Sequence, residues 1–192
     1  MKLVILDRDG TINADSDDFV KTPDEWLPLP GALEAIARLS HAGWHVVIAS
    51  NQSGLGRGLF DVASLNAMHA KMHKMLAAVG GRIDAVFYCP HSPEELCTCR
   101  KPLPGLFQQI GSRFGVPLSG VPTAGDSVRD LVAGASAGCE PHLVLTGKSA
   151  QFAVGGQPEG LPAGTVLHRD LAAFVEFILA RSAGSAESTQ KQ

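Results

Sequence analysis

The chain predicts an α/β fold: a three-layer, Rossmann-like doubly wound parallel sheet with helices on both faces. Two observations carry this. Short apolar runs without polar alternation recur at Leu3-Val4-Ile5-Leu6, Val46-Val47-Ile48-Ala49, Ala85-Val86-Phe87-Tyr88 and His142-Leu143-Val144-Leu145, with weaker ones at Pro122 to Ala124 and Thr165 to Leu167. Such runs read as strands buried on both faces. Apolar residues at helical spacing lie between them, and strand–helix alternation calls for right-handed crossovers onto one parallel sheet.

The first run ends on Asp7-Arg8-Asp9-Gly10-Thr11. A period of two places Asp7 and Asp9 on one side of an extended chain, at the strand end where ligands bind in open parallel sheets. A helix follows over Gly31 to Ala42, with Leu33, Ile36, Ala37 and Leu39 at helical spacing. Another spans Asp61 to Val79, where Leu65, Met68, Met72 and Leu76 form an apolar stripe, and the methionines read as core packing. Pro104 to Phe114 and Ser127 to Ala137 supply two more helices, and Asp170 caps a last one through Phe174, Phe177 and Ile178. The glycine- and proline-rich stretch 155–162 reads as a surface loop. Residues 1–181 are expected to form one domain, and 182–192 are polar and small enough to be disordered.

Of the 192 residues, 45% are hydrophobic and 18% charged, the balance of a globular chain with a sizeable core. A net charge of −3 leaves no broad basic field, so neither nucleic acid nor a membrane surface is an expected partner. Met1 leads within two residues into the first strand, without a charged and apolar leader, and the expected compartment is the cytoplasm. No unpartnered apolar helix stands out, and the expected state is a monomer.

Three further strand exits carry matched chemistry. Ser50-Asn51-Gln52-Ser53-Gly54-Leu55-Gly56-Arg57-Gly58 offers hydroxyl and amide donors and a glycine-rich loop able to bring backbone N–H groups to an anion. Arg100-Lys101 places two cations ahead of a helix. Gly125-Asp126-Ser127-Val128-Arg129-Asp130 puts two carboxylates four apart on a first helical turn, on one face. Gathered at one sheet edge, these are the parts for phosphoryl transfer through an aspartyl phosphate, a carboxylate being a competent nucleophile toward phosphorus. Mg²⁺ takes one or two carboxylates together with substrate phosphate, and Asp7 and Asp126 can supply them.

Cys89-Pro90-His91 followed by Cys97-Thr98-Cys99 provides three thiols and an imidazole, the full set for a closed tetrahedral zinc site in a loop over 89–99. Cys139 stands apart as a buried thiol. His69 and His73 lie four apart on the second helix and, with no third ligand nearby, read as a solvated face.

Asp7-Arg8-Asp9-Gly10-Thr11, Ser50-Asn51, Lys101 and Gly125-Asp126 with Asp130 resemble, in that order, the four motifs of the haloacid dehalogenase superfamily of phosphatases. The resemblance implies Asp7 as nucleophile and Asp9 as the acid that protonates the leaving oxygen and then activates water. It implies Ser50 and Lys101 on the transferring phosphoryl group, with Asn51 beside them. Mg²⁺ would be bound by Asp7, the backbone carbonyl of Asp9 and Asp126, with Asp130 in support. Only 38 residues separate Thr11 from Ser50, too few for a large inserted cap, so a capless fold is expected.

The cysteine loop narrows the resemblance to the histidinol-phosphatase-like subgroup, and within it to members acting on a sugar bisphosphate. This implies that a heptose 1,7-bisphosphate, the β anomer favoured, loses its C7 phosphate on the way to ADP-heptose and lipopolysaccharide core. The phosphate that stays needs partners, and Arg57 and Arg100 are the candidates, arginine being suited to bidentate phosphate contact. Two departures from the pattern are a short zinc loop and Ser127, where many members carry lysine. The competing readings are a histidinol-phosphate phosphatase and, outside enzymes, a receiver-like module that keeps its phospho-aspartate.

Overall fold

A computed structural model describes the backbone over residues 1–189 and side chains over 1–184. Six strands form one sheet: β1 (Leu3–Leu6), β2 (His45–Asn51), β3 (Ala85–Cys89), β4 (Pro122–Gly125), β5 (Glu140–Val144) and β6 (Val166–His168). Every pairing is parallel, and the order is β3-β2-β1-β4-β5-β6. The chain therefore winds outward in both directions from β1 and β4, and the crevice at the carboxyl ends of these two strands is where such sheets bind ligands. Leu6 is in register with Ile48 on one side and Ala124 on the other, so Asp7, Ser50 and Asp126 leave the sheet at one edge.

The helices are α1 (Ala32–His41), a short α2 (Ser53–Gly56), α3 (Val62–Ala78), α4 (Gly105–Phe114), α5 (Val128–Ser136) and α6 (Leu171–Thr189). One face of the sheet packs against α1, α3 and α6, with Leu33, Ile36, Leu39, Leu65, Phe174 and Ile178 buried beside Val4, Leu6, Val46 and Ile48. The other face packs mainly against α4 and α5, where Leu106, Phe107, Ile110 and Ala133 meet Leu3, Ile5 and Val47. Each apolar strand thus feeds two cores. Met68 and Met72 are fully buried packing residues, and Cys139 is a buried free thiol.

Caps fall where the short polar residues predict them. The Asp61 carboxylate accepts from the Ser64 N–H at 2.8 Å, and Asp170 accepts from the Ala173 N–H at 2.8 Å. The backbone N–H of Ser127 donates to Asp130 at 3.1 Å, so this serine opens α5. Residues 155–162 are irregular, as expected of the loop. Three local features differ from the sequence reading. The glycine-rich stretch after β2 folds as α2, a single helical turn. A 3₁₀ segment over Gly147–Val154 follows β5. The stretch 182–192, expected to be disordered, instead continues α6 through Thr189; Ala and Glu in that stretch are good helix formers able to extend a helix anchored by Phe174 and Ile178. Positions 190–192 lie outside the described residues.

Candidate active site

Asp7 follows β1 directly, its N–H continuing the ladder to the Ala124 carbonyl at 2.9 Å. Its Oδ1 meets Lys101 Nζ at 2.7 Å. The same ammonium donates to the Ala49 carbonyl at 2.7 Å and pairs with Asp130 Oδ1 at 2.7 Å, so it is held among two carboxylates and a strand carbonyl. Lys101 is only 2% exposed. Burial lowers its pKa, but the carboxylates of Asp130 and Asp7 outweigh that and raise it, so the lysine is a fixed cation.

Asp7, Asp126 and Asp130 bring carboxylate oxygens within 4.8 Å of one another. Asp126 Oδ2 accepts the backbone N–H of Lys148 at 2.6 Å. It is reached across two glycines at positive φ, Gly10 and Gly147, where a Cβ would come within 2.2 and 2.1 Å of that oxygen. Any side chain at either position would displace the carboxylate. One lysine does not balance three acids. Burial and the Asp130 charge push Asp7 up to about 7 against the pull of Lys101. Burial and the charges of Asp7 and Asp130 push Asp126 up to about 8. An oxygen-rich cluster that resists full ionisation fits a hard divalent cation.

Asp9 faces a different surrounding. Its oxygens accept from Arg8 Nη2 at 2.9 Å, Asn13 Nδ2 at 2.9 Å and Gln52 Nε2 at 2.8 Å. Burial raises its pKa, but Arg8 and these amides outweigh burial and hold it below the usual carboxylate range. The two aspartates of one motif thus carry opposite perturbations, Asp7 raised and Asp9 lowered. Gln52 Nε2 also donates to Ser50 Oγ at 2.7 Å, tying the second strand exit to Asp9.

These groups open onto a polar cavity of about 240 Å³, lined by Asp7, Asp9, Ser50, Asn51, Arg57, Arg100 and Lys101. The strand ends have gathered the predicted residues. Both ends of the Asn51 amide are taken by the Lys101 main chain, at 3.0 Å each, so this side chain clips the lysine in place. Arg100 is half-buried and donates to the His91 carbonyl at 3.3 Å. Arg57 is more exposed, 3.6 Å from Glu94. The cavity wall also holds Arg8 and Gln52, which lie in the motifs without a named role, and Lys148, which lies outside every motif. Lys148 bridges Asp15 at 3.0 Å and Asp17 at 2.9 Å across the mouth. His69, expected on a solvated face, instead turns inward, its Nε2 3.4 Å from Arg8 Nη1, while His73 one turn on is exposed.

Beside the cavity, Cys89, His91, Cys97 and Cys99 converge with their donor atoms within 4.8 Å. His91 Nδ1 lies 3.4 Å from Cys89 Sγ and 3.3 Å from Cys99 Sγ, and Cys89 and Cys97 Sγ are 3.8 Å apart. Zinc–thiolate bonds of about 2.3 Å in a tetrahedron require an S–S edge of about 3.8 Å, so the donor set fits that ion. The loop abuts α4 closely: a Cβ on Gly105 would meet the Thr98 carbonyl at 2.3 Å. It thereby delivers Arg100 and Lys101 to the cavity.

Residues 2–122 match the family model of the polynucleotide kinase 3 phosphatases, and residues 98–168 match a HAD-hydrolase-like model. Along nearly the full chain, the D-glycero-beta-D-manno-heptose-1,7-bisphosphate 7-phosphatase of Bordetella bronchiseptica is 59% identical over 179 residues, covering 93% of this chain and 98% of its own. The Pseudomonas aeruginosa enzyme of the same name is 52% identical, covering 92% and 97%. The crystal structure of the B. bronchiseptica D,D-heptose 1,7-bisphosphate phosphatase complexed with magnesium and phosphate superposes with a TM-score of 0.90 at 58% identity, covering 94% of this chain and 99% of that one. The order of the strands, the acid cluster around Lys101 and these full-length likenesses agree: the chain is a phosphatase of the haloacid dehalogenase superfamily and belongs to its D-glycero-beta-D-manno-heptose-1,7-bisphosphate 7-phosphatase family.

Proposed function

We propose that this protein hydrolyses the C7 phosphate of D-glycero-β-D-manno-heptose 1,7-bisphosphate through a phosphoryl-Asp7 intermediate. The observation that carries the reading is the 2.7 Å pair of Asp7 and buried Lys101 inside a cluster with Asp126 and Asp130. Mg²⁺ held by Asp7, the Asp9 carbonyl and Asp126 would offset the crowded negative charge and polarise the phosphoryl oxygens. Asp7 then presents a carboxylate oxygen to phosphorus, while Lys101 and Ser50 neutralise and bond the equatorial oxygens. Asp130 sets the lysine from behind. Asp9 gives a proton to the departing sugar oxygen and takes one from the water that opens the acyl phosphate. Arg8, Asn13 and Gln52 favour its ionised form, the form needed in the second half, which supports turnover over a phospho-aspartate that persists as a signal.

The phosphate left on the sugar falls to Arg100 and Arg57 at the cavity rim. Arg100→Ala is expected to lower kcat/KM for the bisphosphate by roughly 10- to 100-fold, the loss of a charge-assisted contact, and to leave a heptose 7-monophosphate nearly unaffected. Equal losses on both substrates would remove Arg100 from that role.

Zinc at Cys89, His91, Cys97 and Cys99 would hold the loop that aims Arg100. Metal analysis of Cys99→Ser is expected to show loss of about one equivalent of zinc while magnesium-dependent turnover drops with it, because ordering of a small metal loop is coupled to metal binding. Retention of a full equivalent in this variant would argue against the site.

Phosphate release with Mg²⁺ from the α and β anomers and from histidinol phosphate tests the whole reading. One equivalent released fastest from the β anomer is the expected result, and preference for histidinol phosphate would overturn the substrate. The reading carries with it a cytoplasmic monomer, its mass to be checked by sedimentation. No described helix is long and apolar enough to cross a membrane.

A further inference from the structure

Arg8 is the one strongly cationic side chain besides Lys101 that the described core encloses, at 1% exposure. Its Nε donates to both Asp9 oxygens at 3.2 Å, and Nη2 donates to Asp9 Oδ1 at 2.9 Å and to Gln52 Oε1 at 3.3 Å. One corner of the guanidinium remains. Nη1 faces His69 Nε2 at 3.4 Å, reached from α3, 61 positions along the chain. Arginine has no acceptor, so the imidazole must accept here, with its proton on Nδ1. Burial and the Arg8 charge push His69 down to about 4, which keeps the ring neutral and its Nε2 lone pair available. Tyr88 packs against the ring from β3 at 6.5 Å between centroids.

We propose that His69 is a positioning residue for the reaction: it fixes the third corner of the Arg8 guanidinium and so sets the orientation of Asp9. The physical reason is the rigidity of the fork. A guanidinium is planar, and two contacts on one edge still allow it to pivot about Asp9; an acceptor at Nη1 removes that pivot. A buried charged donor left without an acceptor is also costly, so the group would move to find one. Asp9 would move with it, since Arg8 supplies three of the contacts to its oxygens. The helix α3 thereby reaches the acid through two side chains without touching the substrate cavity.

The inference rests on the reading of Asp9 as the acid of the first half-reaction, and the test separates the two. The ratio kcat/KM reports transfer to Asp7 only, so a sugar phosphate, which needs its leaving oxygen protonated, is compared with p-nitrophenyl phosphate, whose phenolate leaves without a proton. For His69→Ala, kcat/KM on the heptose bisphosphate is expected to fall about 10-fold, part of the roughly 10²- to 10⁴-fold that a positioned acid contributes, with the aryl phosphate changed by less than about 2-fold. His69→Gln, which keeps an acceptor, is expected to recover the sugar activity to within about 3-fold, while His73→Ala on the exposed face changes neither substrate. Asp9→Asn should show the same selectivity on a larger scale. Parallel losses on both substrates in His69→Ala, beside a selective Asp9→Asn, would overturn the positioning role alone. An unselective Asp9→Asn would overturn the reading of Asp9 and the inference with it.

Discussion

Asp7→Asn is expected to abolish phosphate release, lowering kcat on the order of 10⁶-fold, the scale on which loss of a covalent nucleophile registers in other hydrolases. The amide keeps the volume and still offers an oxygen to Lys101 Nζ, so the cavity should survive. Stability is expected to change in the opposite sense. The Asp7 carboxyl sits at about 7 in the fold against an ordinary value of 3.8, because burial and Asp130 outweigh Lys101. A group with a raised folded pKa binds its proton more tightly when folded. Its ionisation therefore removes stability as pH rises from about 4 through about 7. Without a divalent cation at pH 8, the asparagine variant should melt no lower than the parent, although it is inactive. A variant that melts well below the parent at pH 8 would show that the Asp7 charge stabilises the cluster, and residual turnover above background would place the nucleophile elsewhere.

Lys101→Met is expected to damage both activity and fold. The methionine replaces the stem but leaves Asp7 Oδ1, Asp130 Oδ1 and the Ala49 carbonyl without their shared donor. Removing one partner from a buried charged group typically destabilises by about 3–5 kcal/mol. The lost electrostatic clamp on the phosphoryl oxygens should lower kcat by about 10²- to 10³-fold. The pH dependence has a definite sign. With the cation gone, the carboxyl values rise further, so the penalty is largest above about 8, where Asp7 and Asp126 would both have to ionise, and it shrinks as pH falls through about 7. Denaturant unfolding at pH 6 and pH 9 checks this. An equal loss at both would mean that Lys101 acts through packing rather than charge.

The candidate site residues were legible because their chemistry sits at strand ends. Leu3–Leu6 and Val46–Ala49 carry no alternation, which marks them as central parallel strands, and Asp7 and Ser50 follow them directly. The cysteine loop was legible from spacing alone. Other parts were not. Arg8 lies between two catalytic candidates and has the polarity of a surface residue, yet it is enclosed because Asp9, Gln52 and His69 satisfy it from three segments. His69 and His73 lie one turn apart and look alike in sequence. Only the roll of α3 against β3 decides that one faces Arg8 and the other faces water. Asn51 had the character of a ligand, but both ends of its amide bond to the Lys101 backbone.

Hydrophobic periodicity and the placement of acids, cations and thiols after apolar runs are local properties, and they sufficed to determine the fold class and the candidates for phosphate and metal, while the haloacid dehalogenase pattern rested on the resemblance of the motifs. The tertiary structure decided which of those groups share charge. Lys101 meets Asp7 and Asp130 across the β1–β4 crevice, Asp126 passes between Gly10 and Gly147, and α3 brings His69 to Arg8. Such pairings join segments distant in sequence, and their energies depend on burial and on separations of a few ångströms, quantities that exist only once the chain has packed.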